Sequence, residues 1–401
     1  MKSGHVLLSA AVLALSVASL GHAAGTNGDA GISGLTLKGF GTLGLARSDE
    51  DGAQYVRDLS QPDGLTSDWS GKIDSMIGLQ ASYQVNEAVE GVLQAISRYR
   101  YDGSYRPEIS WAFVRYEASP ALSLRAGRLG TEFYMQADSR QVGYANPTVR
   151  PPPDYFGPLV FSYLDGFDLG AATPVGAGLL KGKLFAGLSP ETTPFVRNVS
   201  WDLDGALLVG GHLEYQSGPW QFRLGHAQVH FDTQLPLHVL AGFDVIALVP
   251  DLSVKDTWSR FDSLGMVYDE GPLQLQLMLS RTRHESAAYE DTKAGYAIAS
   301  YRFGQVTPYL GYSRVKSTPA RIGTPVTPEL AELVTNLTSA THSDQHTWFL
   351  GGRWDIRENL AMKAQVDWLH GSRTSLFPFR DDIPVWDGDM TVYSLTLDFV
   401  F

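Results

Sequence analysis

Several features that enzymes and metalloproteins commonly use are missing from this sequence. Its 401 residues include no cysteine, which excludes disulfide bonds and thiolate metal sites. It contains no GxSxG, HExxH or Walker-type motif, so these catalytic signatures are absent. The acidic run Asp49 to Asp51 lacks the ligand spacing of an EF-hand loop. We therefore expect no metal and no cofactor.

Long apolar runs are also scarce. The stretch from Val6 to Leu20 follows the basic Lys2 and leads to small residues around Ala23. This pattern is typical of a secretory signal peptide, which we expect to span residues 1–24, followed by a flexible glycine-rich leader at 25–34. Nothing later in the chain is apolar over about eighteen consecutive residues, so spanning helices are excluded.

Basic residues are outnumbered by acidic ones. There are 31 Lys and Arg against 43 Asp and Glu, for a formal net charge of -12. An acidic balance repels a phosphate backbone, so nucleic acid is not an expected partner. The mean hydropathy of -0.10 is intermediate. Such a value arises when about half of the side chains face lipid and half face water.

What the sequence does contain is alternation of apolar and polar residues. It is clearest from Asp389 to Phe401, where apolar residues occupy every second position: Tyr393, Leu395, Leu397, Phe399 and Phe401. A period of two is that of a β-strand with one apolar and one polar face. In a membrane β-barrel these faces meet lipid and a water-filled lumen. This last strand must also pair with the first, because unpaired backbone groups in hydrocarbon are costly.

The same alternation recurs along the chain and predicts about sixteen antiparallel strands. Short turns separate some of them and long polar loops separate others, as expected when one barrel end faces the periplasm. We therefore expect an all-β fold, a transmembrane antiparallel β-barrel over residues 35–401. The predicted strands begin near Leu35, Ile77, Val89, Ile109, Ala121, Leu164, Leu179, Ala206, Pro219, Asp262, Pro272, Lys293, Val306, Thr347, Leu360 and Asp389.

Two of these strands carry a more specific pattern. ISWAFVRYE, from Ile109 to Glu117, is followed after a short turn by LSLRAGRLG, from Leu122 to Gly130. They resemble the fourth and fifth strands of trimeric general diffusion porins. The resemblance implies a channel in the outer membrane of a Gram-negative bacterium, through which small hydrophilic solutes and ions diffuse passively. The resemblance also implies outer-membrane lipid and lipopolysaccharide as partners.

Two further features bear on assembly. The terminal Phe401 resembles the sorting signature of outer-membrane proteins, which implies recognition by the barrel assembly machinery. The resemblance also implies a homotrimer. The loop from Asp102 to Glu108 is shorter than the family's latch to a neighbouring subunit, however, which weakens the expectation of a trimer.

In that family the segment after the Gly-Arg pair is a long third loop that folds back into the barrel and narrows the pore. Here it is residues 129–161, which include Glu132 and Asp138. The run Pro151 to Pro153 fixes φ and favours a defined path. We expect the acidic loop residues to face arginines of the wall, because charged patches of this kind set pore selectivity.

The candidate site residues follow from this picture and from strand parity. The constriction candidates are Arg98, Arg100, Arg115, Arg125, Arg128, Glu132 and Asp138. Other residues expected to face the lumen are Lys38, Gln94, Lys181, Lys183, Arg223, Arg353, Lys363 and Asp367. Strict alternation would send Arg128 towards lipid, so either a bulge near Gly127 reverses it or Arg125 is the wall residue. The alternative for the arginines as a group is a place near the rim.

Two other functions remain open from the sequence. A substrate-selective channel would use a ladder of basic residues for an anionic nutrient, formed by Arg98, Arg100, Arg223, Lys181, Lys183 and Lys363. An outer-membrane hydrolase would use His212, which shares its strand face with Glu214, as a base. A single histidine in a lumen is more often a wall residue, so we expect no enzyme.

Overall fold

In the computed structural model, described for residues 34–196, 199–375 and 386–401, the chain forms a closed antiparallel β-barrel. Sixteen strands form the barrel. Two further strands form a separate hairpin, so the strands are numbered β1 to β18. The predicted signal peptide and nearly all of the predicted leader lie outside the described residues. The barrel itself agrees with the fold class predicted from the alternation.

The strands of the first half are β1 (Leu35–Ser48), β2 (Met76–Asn86), β3 (Val89–Arg98), β4 (Glu108–Ser119), β5 (Leu122–Gly130), β6 (Tyr163–Val175) and β7 (Gly178–Leu188). The hairpin follows as β8 (Thr192–Val196) and β9 (Val199–Asp202). The remaining barrel strands are β10 (Leu207–Ser217), β11 (Trp220–His230), β12 (Trp258–Glu270), β13 (Leu273–His284), β14 (Asp291–Tyr301), β15 (Val306–Thr318), β16 (Asp344–Arg357), β17 (Leu360–Gly371) and β18 (Asp389–Val400). Each predicted strand coincides with a barrel strand, and most starts differ by no more than one residue.

The barrel closes between its first and last strands. β1 and β18 pair over a register from Phe40↔Val400 to Ser48↔Val392. The backbone of Gly39 exchanges two hydrogen bonds with that of Phe401, at 2.8 and 2.9 Å. Gly39 lies against the Phe401 ring, where a Cβ atom would collide with it. Closure leaves no free edge in the barrel, as a membrane requires.

The two faces of the wall differ in chemistry. Apolar side chains remain exposed on the outside, including Leu37 at 71%, Leu184 at 66% and Leu224 at 61%. The inward parity instead buries Thr396 and Asp398 of β18. Rings gather near both ends of the outer face, for example Trp220 against Tyr268 at 4.7 Å. A contiguous apolar band between aromatic residues is the lipid-facing surface of a membrane barrel.

Connections at the two ends differ in length. One end has short turns, and the other carries the loops L1 (49–75), L2 (99–107), L3 (131–162), L4 (189–206), L5 (231–257), L6 (285–290), L7 (319–343) and L8 (372–388). The hairpin of β8 and β9 belongs to L4 and was not predicted. Helices occur in these loops: α1 (Pro153–Phe156) in L3, α2 (His238–Ala241) in L5 and α3 (Pro328–Thr338) in L7.

In L7, α3 begins at Pro328, directly after Thr327. Its buried residues are Val334 and Leu337, which join a hydrophobic cluster of loop and wall residues. Among the described residues, no helix has the length and apolar character needed to traverse a bilayer.

Candidate functional site

Loop L3 is attached to the wall through the buried Arg150. Its guanidinium donates to both oxygens of Asp74 in L1, at 2.9 and 2.7 Å. It also donates to Asp367 on β17 at 3.3 Å and to the Ser394 hydroxyl on β18 at 2.6 Å. Burial lowers the pKa of Arg150, but Asp74 outweighs this effect and holds the pKa well above its usual value. A charged Arg150 thus joins two loops to two strands.

A second attachment is made by Asp154, at the start of α1. Its carboxylate is fully buried and accepts hydrogen bonds from the Ser313 hydroxyl at 2.6 Å and the Thr347 hydroxyl at 2.8 Å. The Gln345 amide donates to its other oxygen at 2.7 Å. Burial raises the pKa of Asp154. These donors lie on β15 and β16, so α1 is held to that part of the wall.

A third attachment surrounds Lys363 on β17. Its ammonium donates to the carbonyl oxygens of Gly143 at 2.7 Å and Thr148 at 3.0 Å, both in L3. Asp398 lies 3.0 Å from the same ammonium and accepts a hydrogen bond from Thr42 at 2.5 Å. A Cβ atom on Gly143 would collide with Asp398 and Thr42. Only glycine therefore allows L3 to approach this closely.

Aromatic residues of L3 pack against rings that face inward from the wall. Phe133 lies 5.1 Å from Phe261 of β12 and 6.0 Å from Phe185 of β7, measured between ring centroids. Tyr155 meets Tyr296 of β14 edge to face at 5.1 Å. Contacts of this kind add to the stabilisation from burial. They fix the course of the loop between its polar attachments.

Glu132, at the beginning of L3, is the centre of a charged cluster. Its carboxylate lies 2.5 Å from Lys183 on β7, 3.1 Å from Arg125 on β5 and 3.6 Å from Arg223 on β11. His212 of β10 lies 3.8 Å away. Burial raises the pKa of Glu132, but the nearby Lys183 and Arg125 outweigh this effect and lower the pKa to about 2. Glu132 is therefore an anion at any physiological pH.

Two more carboxylates complete this cluster. Asp168 of β6 forms a bidentate ion pair with Arg125. Glu214 of β10 lies 3.2 Å from Arg223 and 3.4 Å from Lys181. The Glu132 cluster thus consists of four cations and three carboxylates: Arg125, Lys181, Lys183, Arg223, Glu132, Asp168 and Glu214.

The cluster brings together five of the predicted site residues, namely Arg125, Glu132, Lys181, Lys183 and Arg223. Lys363 and Asp367 contact L3 as described above, and Arg353 donates to the Tyr144 carbonyl of that loop at 2.6 Å. Gln94 donates to Gln80 on the neighbouring strand at 3.0 Å.

Arg98 and Arg100 have other partners than the predicted ones. Arg98 lies 3.2 Å from Glu108 and 3.8 Å from Asp58, whereas Arg100 lies 3.7 Å from Glu108. The prediction that these two arginines face the acidic residues of L3 is therefore corrected. Arg98 is the last residue of β3, so it lies at the level where L1 and L2 meet. Both arginines belong to this loop junction.

The position of Arg128 also needs correction. It forms an ion pair with Asp165 at 2.7 Å, on the same strand face as Phe167, whose side chain is 54% exposed to the outside. The pairing of β5 with β6 continues through Arg128↔Asp165 and Arg125↔Asp168 without a register shift. Alternation is therefore unbroken, and Arg125 is the wall residue.

The three remaining candidates form no ion pair with the Glu132 cluster. Arg115 pairs with Glu90 at 3.2 Å, towards the end with short turns. Asp138 and Lys38 are exposed, and neither has an ion pair among the residues that the structure describes. None of the three touches Glu132.

The predicted site residues did not include Arg150 or the three partners of Asp154. A local signal does exist, since Arg150 immediately precedes the run of three prolines. A long charged side chain next to a rigid segment is well placed to anchor that segment, because the backbone loses little further entropy.

Comparison with known proteins identifies the family. The family model described as Gram-negative porin matches residues 9–399. The chain belongs to the Gram-negative porin family. It is therefore an outer-membrane channel for passive diffusion, and the resemblance seen in the sequence is confirmed. No match was found among curated protein sequences.

Solved porin structures share the fold at low sequence identity. The anion-selective porin from Comamonas acidovorans is 15% identical, with a TM-score of 0.54, and the match covers 92% of this chain and 99% of that one. OmpF of Salmonella typhi, solved in complex with daunomycin, is 14% identical, with a TM-score of 0.56 and coverage of 91% and 97%. OprB of Pseudomonas putida is 11% identical, with a TM-score of 0.54 and coverage of 92% and 94%.

Proposed function

We propose that this porin is a general diffusion pore whose aperture is set by L3 folded into the barrel. The observation that carries the proposal is that L3 contacts opposite walls. Glu132 binds Lys183 of β7, and Arg150 binds Asp367 of β17. Strands β7 and β17 are eight positions apart in either direction around the barrel. A segment that reaches both crosses the bore and leaves a narrower passage.

Charge at this passage would give the pore its ion preference. The Glu132 cluster has one more cation than carboxylates, and two of its cations, Lys181 and Lys183, keep 42% and 22% of their side chains exposed. Arg150 and Lys363 are fully buried against carboxylates and contribute less to the field in the water. We therefore expect a modest preference for small anions.

The absence of cysteine allows a direct test of the constriction. Asp138→Cys places a single thiol on the exposed part of L3, and Asn336→Cys places one on the exposed face of α3. A charged thiol reagent should reduce the single-channel current of Asp138→Cys and leave that of Asn336→Cys nearly unchanged. Equal effects of the reagent on both variants would contradict a constriction formed by L3.

Oligomeric assembly forms a second part of the proposal. The outer face of β1 to β5 carries an apolar groove with a volume of about 410 Å³, whose lining includes Ala81, Gly91, Ala112 and Ala126. Small residues permit close approach of another wall, which supports a homotrimer with its contact here. Ala126→Trp should fill the groove and convert the trimer into smaller species in mild detergent. An unchanged oligomer would remove this face from the contact.

The carboxy-terminal residue is the proposed site of recognition by the barrel assembly machinery. The Phe401 ring stacks near Phe399, with 6.4 Å between ring centroids. Replacing Phe401 by Ser should slow insertion into membranes that contain the machinery, while refolding in detergent should change less. Equal effects in both settings would point to a purely structural role.

The selective-channel alternative is less well supported. Its ladder would need six basic residues in one row, but Arg98 and Arg100 lie at the junction of L1 and L2, and Lys363 is buried against Asp398. A current block that saturates with one anionic solute would favour the ladder. Hydrolysis abolished by His212→Ala would favour the enzyme.

A further inference from the structure

The tip of L3 lies close to the end of the barrel that carries the short turns. The hydroxyl of Tyr144 donates a hydrogen bond at 2.6 Å to the carbonyl oxygen of Glu358, which belongs to the turn between β16 and β17. L3 itself begins and ends at the opposite end, among the long loops. The loop therefore extends through the bore to within one tyrosine side chain of the short-turn end, which faces the periplasm in barrels of this kind.

The contacts of L3 with β17 show the same course. Every second residue of this strand faces the bore, and three successive inward positions each bind a successive residue of L3. The contacts are Lys363 with the Thr148 carbonyl at 3.0 Å, Gln365 with the Val149 amide at 3.1 Å and Asp367 with the Arg150 guanidinium at 3.3 Å. After the tip, the loop thus rises along β17 towards the long loops.

Arg353 of β16 holds the tip against the wall. Its guanidinium donates to the carbonyl oxygens of Tyr144 at 2.6 Å and Asn146 at 3.4 Å. The guanidinium carbon also lies 4.5 Å from the centroid of the Tyr144 ring, a cation-π contact. The ring therefore adds a second layer of atoms to the inner side of the wall, beyond the side chain of Arg353.

These contacts are made near the exit of the bore. Arg353 precedes Arg357, the last residue of β16, by four positions. A strand advances about 3.4 Å per residue, so Arg353 lies roughly 14 Å along the strand from its end. Tyr144 covers the remaining distance to the turn. Its side chain is partly exposed and that of Ala145 is exposed. Because both lie inside the barrel, this exposed surface faces the water of the bore.

We propose that Tyr144 forms a second narrowing of the pore, at its periplasmic exit, and limits the size of the solutes that leave the channel. The Glu132 cluster is built on other strands, β5 to β11, so a solute passes two restrictions at different places. Arg353 is paired with Asp355 at 2.7 Å, and the tip therefore adds little net charge. Size rather than charge is the expected criterion at the exit. The inference rests on the proposed course of L3 through the bore and adds a determinant that the Glu132 cluster does not require.

Removal of the ring tests this narrowing. The readout is the ratio of the permeation rates of a trisaccharide and a monosaccharide, measured by the swelling of liposomes that contain the purified full-length protein. This ratio should rise severalfold in Tyr144→Ala, because the larger solute gains more from a wider exit. Tyr301→Ala is the matched control, since Tyr301 is 43% exposed on the outer face at the same end of the barrel. Its ratio should equal that of the wild type.

A second variant separates the bulk of the ring from the attachment of the loop. Tyr144→Phe keeps the ring but loses the hydrogen bond to Glu358, so it should raise the ratio much less than Tyr144→Ala. Equal increases in the two variants would mean that the attachment of L3, and not the ring, controls passage. An unchanged ratio in Tyr144→Ala would likewise overturn the proposal.

The position of the tip is tested by a thiol reagent that is too bulky to pass the pore, a maleimide on a long polyethylene glycol chain. The thiol of Ala145→Cys should react once the periplasmic side of the outer membrane is opened to the reagent, but not in intact cells. Asn336→Cys in L7 should react in intact cells. Reaction of Ala145→Cys in intact cells would place the tip elsewhere. A reduced current in modified Asp138→Cys, together with an unchanged ratio in Tyr144→Ala, would reject only the second narrowing and leave the constriction by L3 in place.

Discussion

Arg150 of L3 and Asp74 of L1 form a bidentate ion pair in which both side chains are almost completely buried. Removing one partner of such a pair leaves the other charge buried and uncompensated, which costs about 3 to 5 kcal/mol. We therefore expect Arg150→Met to lower the free energy of unfolding by that amount in a urea titration in detergent. The open-channel current should also become noisier as L3 loses its attachment.

Arg140→Met is the matched control for this variant. Arg140 belongs to the same loop, but its hydrogen bond is to the neutral Ser162 hydroxyl at 2.6 Å. Its replacement should cost less, about 1 kcal/mol. Equal losses of unfolding free energy in the two variants would show that the contact with Asp74 stabilises the fold no more than a neutral hydrogen bond does.

Gly143 offers a steric test of where L3 lies. A methyl group there would collide with Asp398 and Thr42, so Gly143→Ala should push the loop away from β1 and β18 and change the conductance. Gly352→Ala is a suitable control, because no atom lies within 4 Å of its added Cβ. A conductance change in the control as large as in Gly143→Ala would contradict the proposed mechanism.

The Glu132 cluster provides a test of ion selectivity. Glu132→Gln removes the central anion and leaves Arg125, Lys183 and Arg223 without their shared partner. The reversal potential in a salt gradient should shift towards greater anion preference. An unchanged reversal potential would exclude this cluster from the ion path.

The same carboxylate should affect stability in acid. Its folded pKa of about 2 is below the ordinary value of 4.5, so its ionised form stabilises the fold at pH values above about 4.5. That contribution is lost as the pH falls through 4.5 towards 2. The difference in melting temperature between pH 7 and pH 3 should therefore be smaller in Glu132→Gln than in the wild type. A difference of the same size in both proteins would mean that other carboxylates control acid unfolding.

Arg125 and Arg128 differ by three positions and face opposite sides of the wall. Arg125→Ala removes a cation that contacts Glu132 and should shift the reversal potential towards cations. Arg128→Ala removes the same charge from the outer ion pair with Asp165 and should leave the reversal potential unchanged. A shift of the reversal potential in Arg128→Ala but not in Arg125→Ala would instead place Arg128 in the lumen.

The barrel could be predicted because its signal is local. Alternation is visible within each strand, and the lipid requires it to persist across the membrane. The β8 and β9 hairpin was overlooked because both strands are short and Pro194 interrupts the first of them. No membrane imposes a pattern on such a loop segment.

The contacts of the site were harder to predict, because they depend on residues that are distant in the chain. Arg150 is separated by 76 positions from Asp74 and by 217 from Asp367. Strand parity predicts that Lys183 and Arg223 share the inner face, but it does not show that Glu132 lies between them. Parity also does not tell where a strand leaves the membrane, and for that reason Arg98 was assigned too deep in the pore.

The pairing of β1 with β18 has a consequence for how the protein is made. An intermediate that has not yet acquired β18 presents two borders of unsatisfied amides, one along β1 and one along β17, and either border can capture a strand from another molecule. Pairing of β18 with both β1 and β17 removes both borders at once, so closure of the barrel requires this strand. A chain that lacks β18 should therefore aggregate through these borders.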